Sequence, residues 1–218
     1  MAPLERLQQR LQHLYEIELD HRVSDFVITD AALARYLEGD PAARTTPEKL
    51  LVRQQGEDLE LSLYLDPELL ERLAEDDPET GLHGGNLADF CTALEGVSHF
   101  LYLIWNAGHG RSVTPLELEM QAEIDKYVLS ARALRHHRRA PAQLHYWLFD
   151  RALFDAGLSG PELERYRAAS HYAGTYCGHL ADRYLAAPDT ADRSLLNELR
   201  RFYRLPLHHK IRRIERLH

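Results

Sequence analysis

The chain has 218 residues, with 34 acidic against 26 basic side chains and a formal net charge of −8. That length suits one domain with a sizeable core, or a domain with an appendage, and the acidic balance disfavours indiscriminate binding to nucleic acid. Two cysteines, Cys91 and Cys177, sit in apolar helical stretches and exclude a disulfide framework.

No apolar run reaches the length of a membrane span; the longest lies near Phe100 to Trp105. The opening MAPLERLQQRL lacks the apolar centre of a signal peptide. A cytoplasmic location with no membrane contact is the expectation. The bias to Arg, Ala and Leu over Lys and Ile suggests a GC-rich, bacterial genome. Charge is spread unevenly: from Arg193 onward eight Arg and Lys oppose two Glu, a segment of about +6 beside a remainder of about −14.

In chain order, residues 3–18 read as an amphipathic helix with Leu4, Leu7, Leu11, Leu14 and Tyr15 on one side. Residues 22–29 have strand character through Phe26, Val27 and Ile28. Asp30 starts a short helix that Gly39 ends. Residues 50–54 and 59–65 form a β-hairpin turning at 55–58; its second strand alternates Leu59, Leu61, Leu63 and Leu65 against Glu60, Ser62 and Tyr64, one face on a core and one toward water. With 22–29 the pattern predicts a small three-stranded antiparallel sheet. Asp66-Pro67-Glu68 opens another helix, and the acidic loop 76–85 is a candidate lid or plain connection.

The segment from Asn86 to Val128 organises the rest. Asn86 is read as the N-cap of a helix running to about Ala107, with Leu87, Phe90, Cys91, Leu94, Val97, Leu101, Ile104 and Trp105 at three- and four-residue steps. Thr114, Pro115 and Glu117 form a capping box that starts a second helix, which runs to about Ser130 with the basic block Arg132–Arg139 as its candidate continuation. A turn of about six residues makes the two antiparallel neighbours.

Residues 142–157 are read as a core-facing helix through Leu144, Trp147, Leu148, Ala152 and Leu153. Ser159 caps a long helix whose small residues, Ala169, Ser170, Ala173, Gly174 and Gly178, allow close packing. His171 and His179 on it read as core or rim histidines. A helix follows 192–194 and breaks at Pro206, before a tail with Ile211, Ile214 and Leu217 on one side.

The expected fold is α+β and predominantly α-helical: a central antiparallel helical hairpin with a small antiparallel sheet near the N-terminus. The expected division is 1–192 as one mostly helical domain (sheet about 22–65, helical core about 86–186) and 193–218 as a basic helical segment packed on or extending from it.

The central hairpin also carries the candidate chemistry. Glu95 and His99 share a helix face, as do Glu119 and Glu123, and the antiparallel turn sets the two pairs opposite one another. Three carboxylates and an imidazole on facing helices are the donor type of carboxylate-rich metal sites, although the Glu-x-x-His spacing of such sites is replaced here by Glu-x-x-x-His. Lys126, one of three lysines against 23 arginines, with Asp125 beside it, is the expected supporting ion pair. The competing reading is a purely structural network of ion pairs.

The sequence contains no P-loop, GxGxxG, GxSxG, HExxH or CxxC motif. The reading favoured by the sequence is a non-enzymatic interaction or regulatory protein, or a subunit of a bacterial cytoplasmic complex, with a protein partner or a second copy. One alternative is a metal-dependent enzyme or metal-binding protein holding a divalent ion at Glu95, His99, Glu119 and Glu123. Another is a nucleic-acid accessory that follows phosphates with Arg200, Arg201, Arg204, Lys210, Arg212 and Arg213.

Overall fold

The structure, a computed structural model, describes residues 3–40, 44, 46–56, 58–134, 140–185 and 191–217. In chain order the elements are α1 (Pro3–Tyr15), β1 (Val27–Ile28), α2 (Ala31–Glu38), β2 (Glu48–Gln55), β3 (Asp58–Leu65), α3 (Pro67–Glu75), α4 (Leu87–Gly108), α5 (Pro115–Ala133), α6 (Ala140–His145), α7 (Gly160–Leu180), α8 (Ala191–Tyr203) and α9 (Leu207–Glu215). The fold is α+β and mostly helical, with a small mixed sheet near the N-terminus.

Helix starts follow local side-chain chemistry. Asp30 accepts from the Ala32 and Leu33 amides, and Asp66 from those of Glu68 and Leu69, which satisfies amides that a helix start leaves free. Thr114 and Glu117 form the reciprocal capping box. At Ser159 the Glu162 carboxylate accepts from both the amide and the hydroxyl. Gly39 ends α2 at φ 78°, a conformation that suits glycine. Asn86 departs from expectation. Its side chain faces back into loop 76–85, accepting from the His83 amide at 2.9 Å and donating to the Gly81 carbonyl at 2.9 Å, so it fixes the loop instead of the helix start. Arg6 and Arg10 on α1 pair with Asp77 and Glu79 of the same loop, which is thus tied down at several points.

The sheet order is β1-β3-β2. β2 and β3 form the expected hairpin, but β1 runs parallel to β3, with Val27 opposite Leu63 and Ile28 opposite Tyr64. The sheet is therefore mixed rather than antiparallel throughout. β2 runs opposite to β1, and β3, reversing again at the hairpin, slots between them. Residues 23–25 form a helical turn, which shortens β1 to two residues. Tyr64, expected on the wet face, is buried with Ala34 and Leu51 beneath α2.

Leu63 and Leu65 join the main core, built chiefly from α1, α4, α5, α7 and α8. α4 is long and apolar enough by composition to cross a membrane, although no uninterrupted apolar run within it reaches that length. Yet 61% of its apolar window is buried inside the protein, so packing accounts for its character. Ala169, Ser170, Ala173 and Gly174 are buried on α7, where small side chains let it lie close to α5. Residues 142–157 do not make one core helix. α6 is short and passes into a π-helical turn at Tyr146–Asp150; Leu144 is buried, but Trp147 is 59% and Leu153 98% exposed. Arg132 closes α5, and the remainder of the basic block, 135–139, lies outside the described residues.

α8 and α9 dock on the body through Leu195, Leu199, Phe202, Tyr203 and Ile214, which share its core. Arg200 donates to the Leu14 and His13 carbonyls, and Arg204 to those of Tyr15 and Glu16, so α8 satisfies carbonyls at the end of α1. Glu16 there takes φ 52° and pairs with Arg200 at 3.2 Å.

Candidate metal centre

α4 presents Glu95 and His99 to α5, and α5 presents Glu119, Glu123 and Lys126 in return. The four-residue spacing stacks each pair one turn apart, and the antiparallel hairpin sets them opposite. A member the sequence did not indicate arrives from the sheet: Glu48, at the start of β2. It approaches α4 over Gly96, where an added Cβ would stand 2.9 Å from both Glu48 Cγ and Leu63 Cδ1. Only a residue without a side chain leaves that passage open.

His99 is 6% exposed and lies between two carboxylates. Its Nδ1 is 3.5 Å from Glu48 Oε1 and its Nε2 is 3.5 Å from Glu119 Oε2. Those separations are ion-pair distances, long for hydrogen bonds, and both His99 Nε2 and Glu48 Oε1 are buried with no hydrogen-bond partner. Buried polar atoms are almost always satisfied, so two such atoms in one cluster call for an explanation. Arg165 Nε stands 4.0 Å from Glu119 Oε1. Lys126 bridges Glu95 at 2.9 Å and Glu123 at 2.7 Å. One ligand atom each from Glu48, Glu95 and His99 lie within 4.8 Å of one another.

The electrostatics follow from burial and pairing. Burial works against the His99 imidazolium, but Glu119 and Glu48 outweigh it and hold the pKa well above its ordinary value. Burial pushes Glu48 upward, only partly offset by His99. For Glu95 burial pushes up as well, but Lys126 and His99 more than offset it and the net shift is downward. Burial raises Glu123. Lys126 is raised well above its usual value because Glu123 and Glu95 overcome its desolvation.

Asp125 does not support this cluster. One residue before Lys126, it is rotated by about 100° around the helix and points to the other side of α5, into a second buried network. There it accepts from Ser98 Oγ at 2.5 Å, from Gln121 Nε2 at 3.0 Å and from the Tyr15 hydroxyl. Gln121 Oε1 accepts from Lys210 Nζ at 3.0 Å, and Lys210 also donates to the Tyr102 hydroxyl at 2.9 Å. Tyr102 in turn donates to Glu117 at 3.1 Å.

The expected basic partner patch is mostly committed within the chain. Lys210 has no solvent exposure and lies against the faces of Tyr102, Phe202 and Tyr203. The apolar stripe of α9 turns it inward, so it cannot contact a phosphate backbone. Arg200 and Arg204 hold α1, and Arg213 pairs with Glu198 at 2.5 Å. Arg201 and Arg212 remain available at the surface. Lys210 had the same signal that drew attention to Lys126, a lysine in an arginine-rich chain; Glu48 had none, since nothing local says which hairpin carboxylate reaches a helix.

No protein-family model matches the chain, and neither a curated protein nor a solved structure is detectably similar to it.

Proposed function

We propose that the protein binds a divalent metal ion between β2, α4 and α5, with Glu48, Glu95 and His99 as its ligands and Glu119 beside them. The observation that carries this reading is the buried, unpartnered Glu48 Oε1, 3.5 Å from His99 Nδ1, in a cluster where one ligand atom each from Glu48, Glu95 and His99 lie within 4.8 Å of one another. Ligands about 2.0–2.2 Å from one ion stand up to about 4.4 Å apart, so small side-chain adjustments close the site.

Charge supports the same reading. Among the described residues Glu48, Glu95, Glu119 and Glu123 face Lys126 and Arg165 as permanent cations; with His99 deprotonated, as a metal ligand must be, that leaves a deficit that one divalent ion balances. A mixed carboxylate and imidazole set suits manganese, iron or zinc. Three protein ligands would leave coordination positions for water, which such an ion makes a nucleophile near neutral pH. The interaction and nucleic-acid readings of the C-terminal segment have less in their favour, because four of its six basic side chains serve intramolecular contacts.

The test is elemental analysis of untagged protein together with calorimetric titration of Mn²⁺, Fe²⁺ and Zn²⁺ into chelator-treated protein. Stoichiometric binding is expected, lost in Glu48→Gln and His99→Gln while circular dichroism stays unchanged. Failure to take up any of the three ions, with His99→Gln only lowering the melting temperature, would make the cluster a structural ion-pair network.

A further inference from the structure

A groove of about 650 Å³ opens between the end of α7, α8 and α9. Its volume falls within the range of small-molecule sites, about 300–1,000 Å³. Arginines from three elements converge on it: Arg183 from the π-helical turn Ala181–Leu185, Arg201 from α8, and Arg212 from α9 with Arg216 at its end. Among the described residues none of these four has a carboxylate partner. His179 and His209 add two imidazoles.

A chain with a net charge of −8 that gathers in one concavity four guanidiniums with no carboxylate partner among the described residues accepts mutual repulsion there, and an anion would relieve it. The floor is preorganised: Glu198 fixes Arg213 by a bidentate pair, at 3.0 Å and 2.5 Å. Tyr184 offers an aromatic face on the wall, already faced by Arg183 at 5.7 Å.

We infer that this groove binds a compact oligophosphate, either free or as the tail of a nucleotide. Planar guanidinium forks match phosphate oxygens two at a time, which favours phosphate over a singly charged carboxylate. A groove of this volume suits a short ligand better than a long backbone. The site is separate from the metal cluster and does not depend on it.

The experiment is calorimetric titration of sodium tripolyphosphate and of ATP into the full-length protein, with EDTA present to keep the metal cluster silent. Both should bind, and more weakly as salt rises. Arg201→Glu and Arg212→Glu, both at exposed positions, should each weaken binding by roughly tenfold or more, the worth of one charge-assisted hydrogen bond. Arg53→Glu, on the exposed stretch of β2, should leave it unchanged. Tighter binding of ATP, reduced to the tripolyphosphate level by Tyr184→Ala, assigns a nucleotide; equal binding assigns a free oligophosphate. No binding of either, equal losses in the Arg53 and Arg201 variants, or binding of single-stranded RNA alone overturns the inference.

Discussion

Glu48 reaches within 3.5 Å of the His99 imidazole by passing over the backbone of Gly96. The hairpin and the central helix thus meet at a point where one methyl group would separate them. Gly96→Ala should push Glu48 and the fully buried Leu63 aside, at a cost of about 1–3 kcal/mol for overpacking. A fall of several degrees in melting temperature is expected, and with it a clear loss of Mn²⁺ affinity. Unchanged affinity in a folded Gly96→Ala protein would remove Glu48 from the ligand set.

Lys126 separates the structural role of the cluster from its capacity for metal. Lys126→Met leaves Glu95 and Glu123 without the ammonium that bridges them. Removing one partner of a buried ion pair costs about 3–5 kcal/mol, so the metal-free protein should be strongly destabilised in thermal scans. Added Mn²⁺ should restore part of that loss by binding only the folded state. No rescue at saturating metal would argue that no ion enters there.

The buried network of Asp125 and Lys210 sets a pH dependence. Burial pushes Asp125 up to about 6, against about 3.9 when unfolded. Below about pH 4 both states are protonated, and the contribution of Asp125 to stability is lost as pH rises through 6. Burial pulls Lys210 down to about 7, against about 10.4 when unfolded. Its contribution is fully present above pH 10 and is lost as pH falls through 7. Together the two groups stabilise least between about pH 6 and 7. Urea midpoints measured from pH 4 to 9 should show that trough, and Lys210→Met should abolish the rise above pH 7. A rise of equal size in Lys210→Met would assign it to other groups.

Glu16 ends α1 at φ 52° with its side chain 71% exposed. A non-glycine residue in that region costs about 1–2 kcal/mol, while its ion pair with Arg200 at the surface is worth less. Glu16→Gly should therefore raise the melting temperature slightly, by a few degrees at most. A fall would show that the Arg200 contact holds the end of α1 more strongly than the backbone strain opposes it.

Much of this architecture is written in short stretches of sequence. Asp30, Asp66, Thr114-Pro115-Glu117 and Ser159 start helices because a side chain meets an amide two or three residues away, and that chemistry needs no tertiary context. Phe90, Leu94, Val97, Leu101 and Trp105 name the buried face of α4 by spacing alone. The facing of Glu95 and His99 toward Glu119 and Glu123 follows from four-residue spacing and one short turn.

What only the tertiary structure decided concerns single-residue rotation and distant approach. A step of one residue turns a helical side chain by about 100°, which sends Asp125 to Tyr15 and Ser98 while Lys126 goes to Glu95 and Glu123. Strand direction in the sheet depended on which strand slotted between the others, not on the alternation within any one of them. Glu48 joined His99 across a gap of 51 residues, through a glycine whose importance lies in what passes over it. Lys210 left the surface because the apolar side of α9 docks on Tyr102, Phe202 and Tyr203, and Tyr102 lies 108 residues away in the chain.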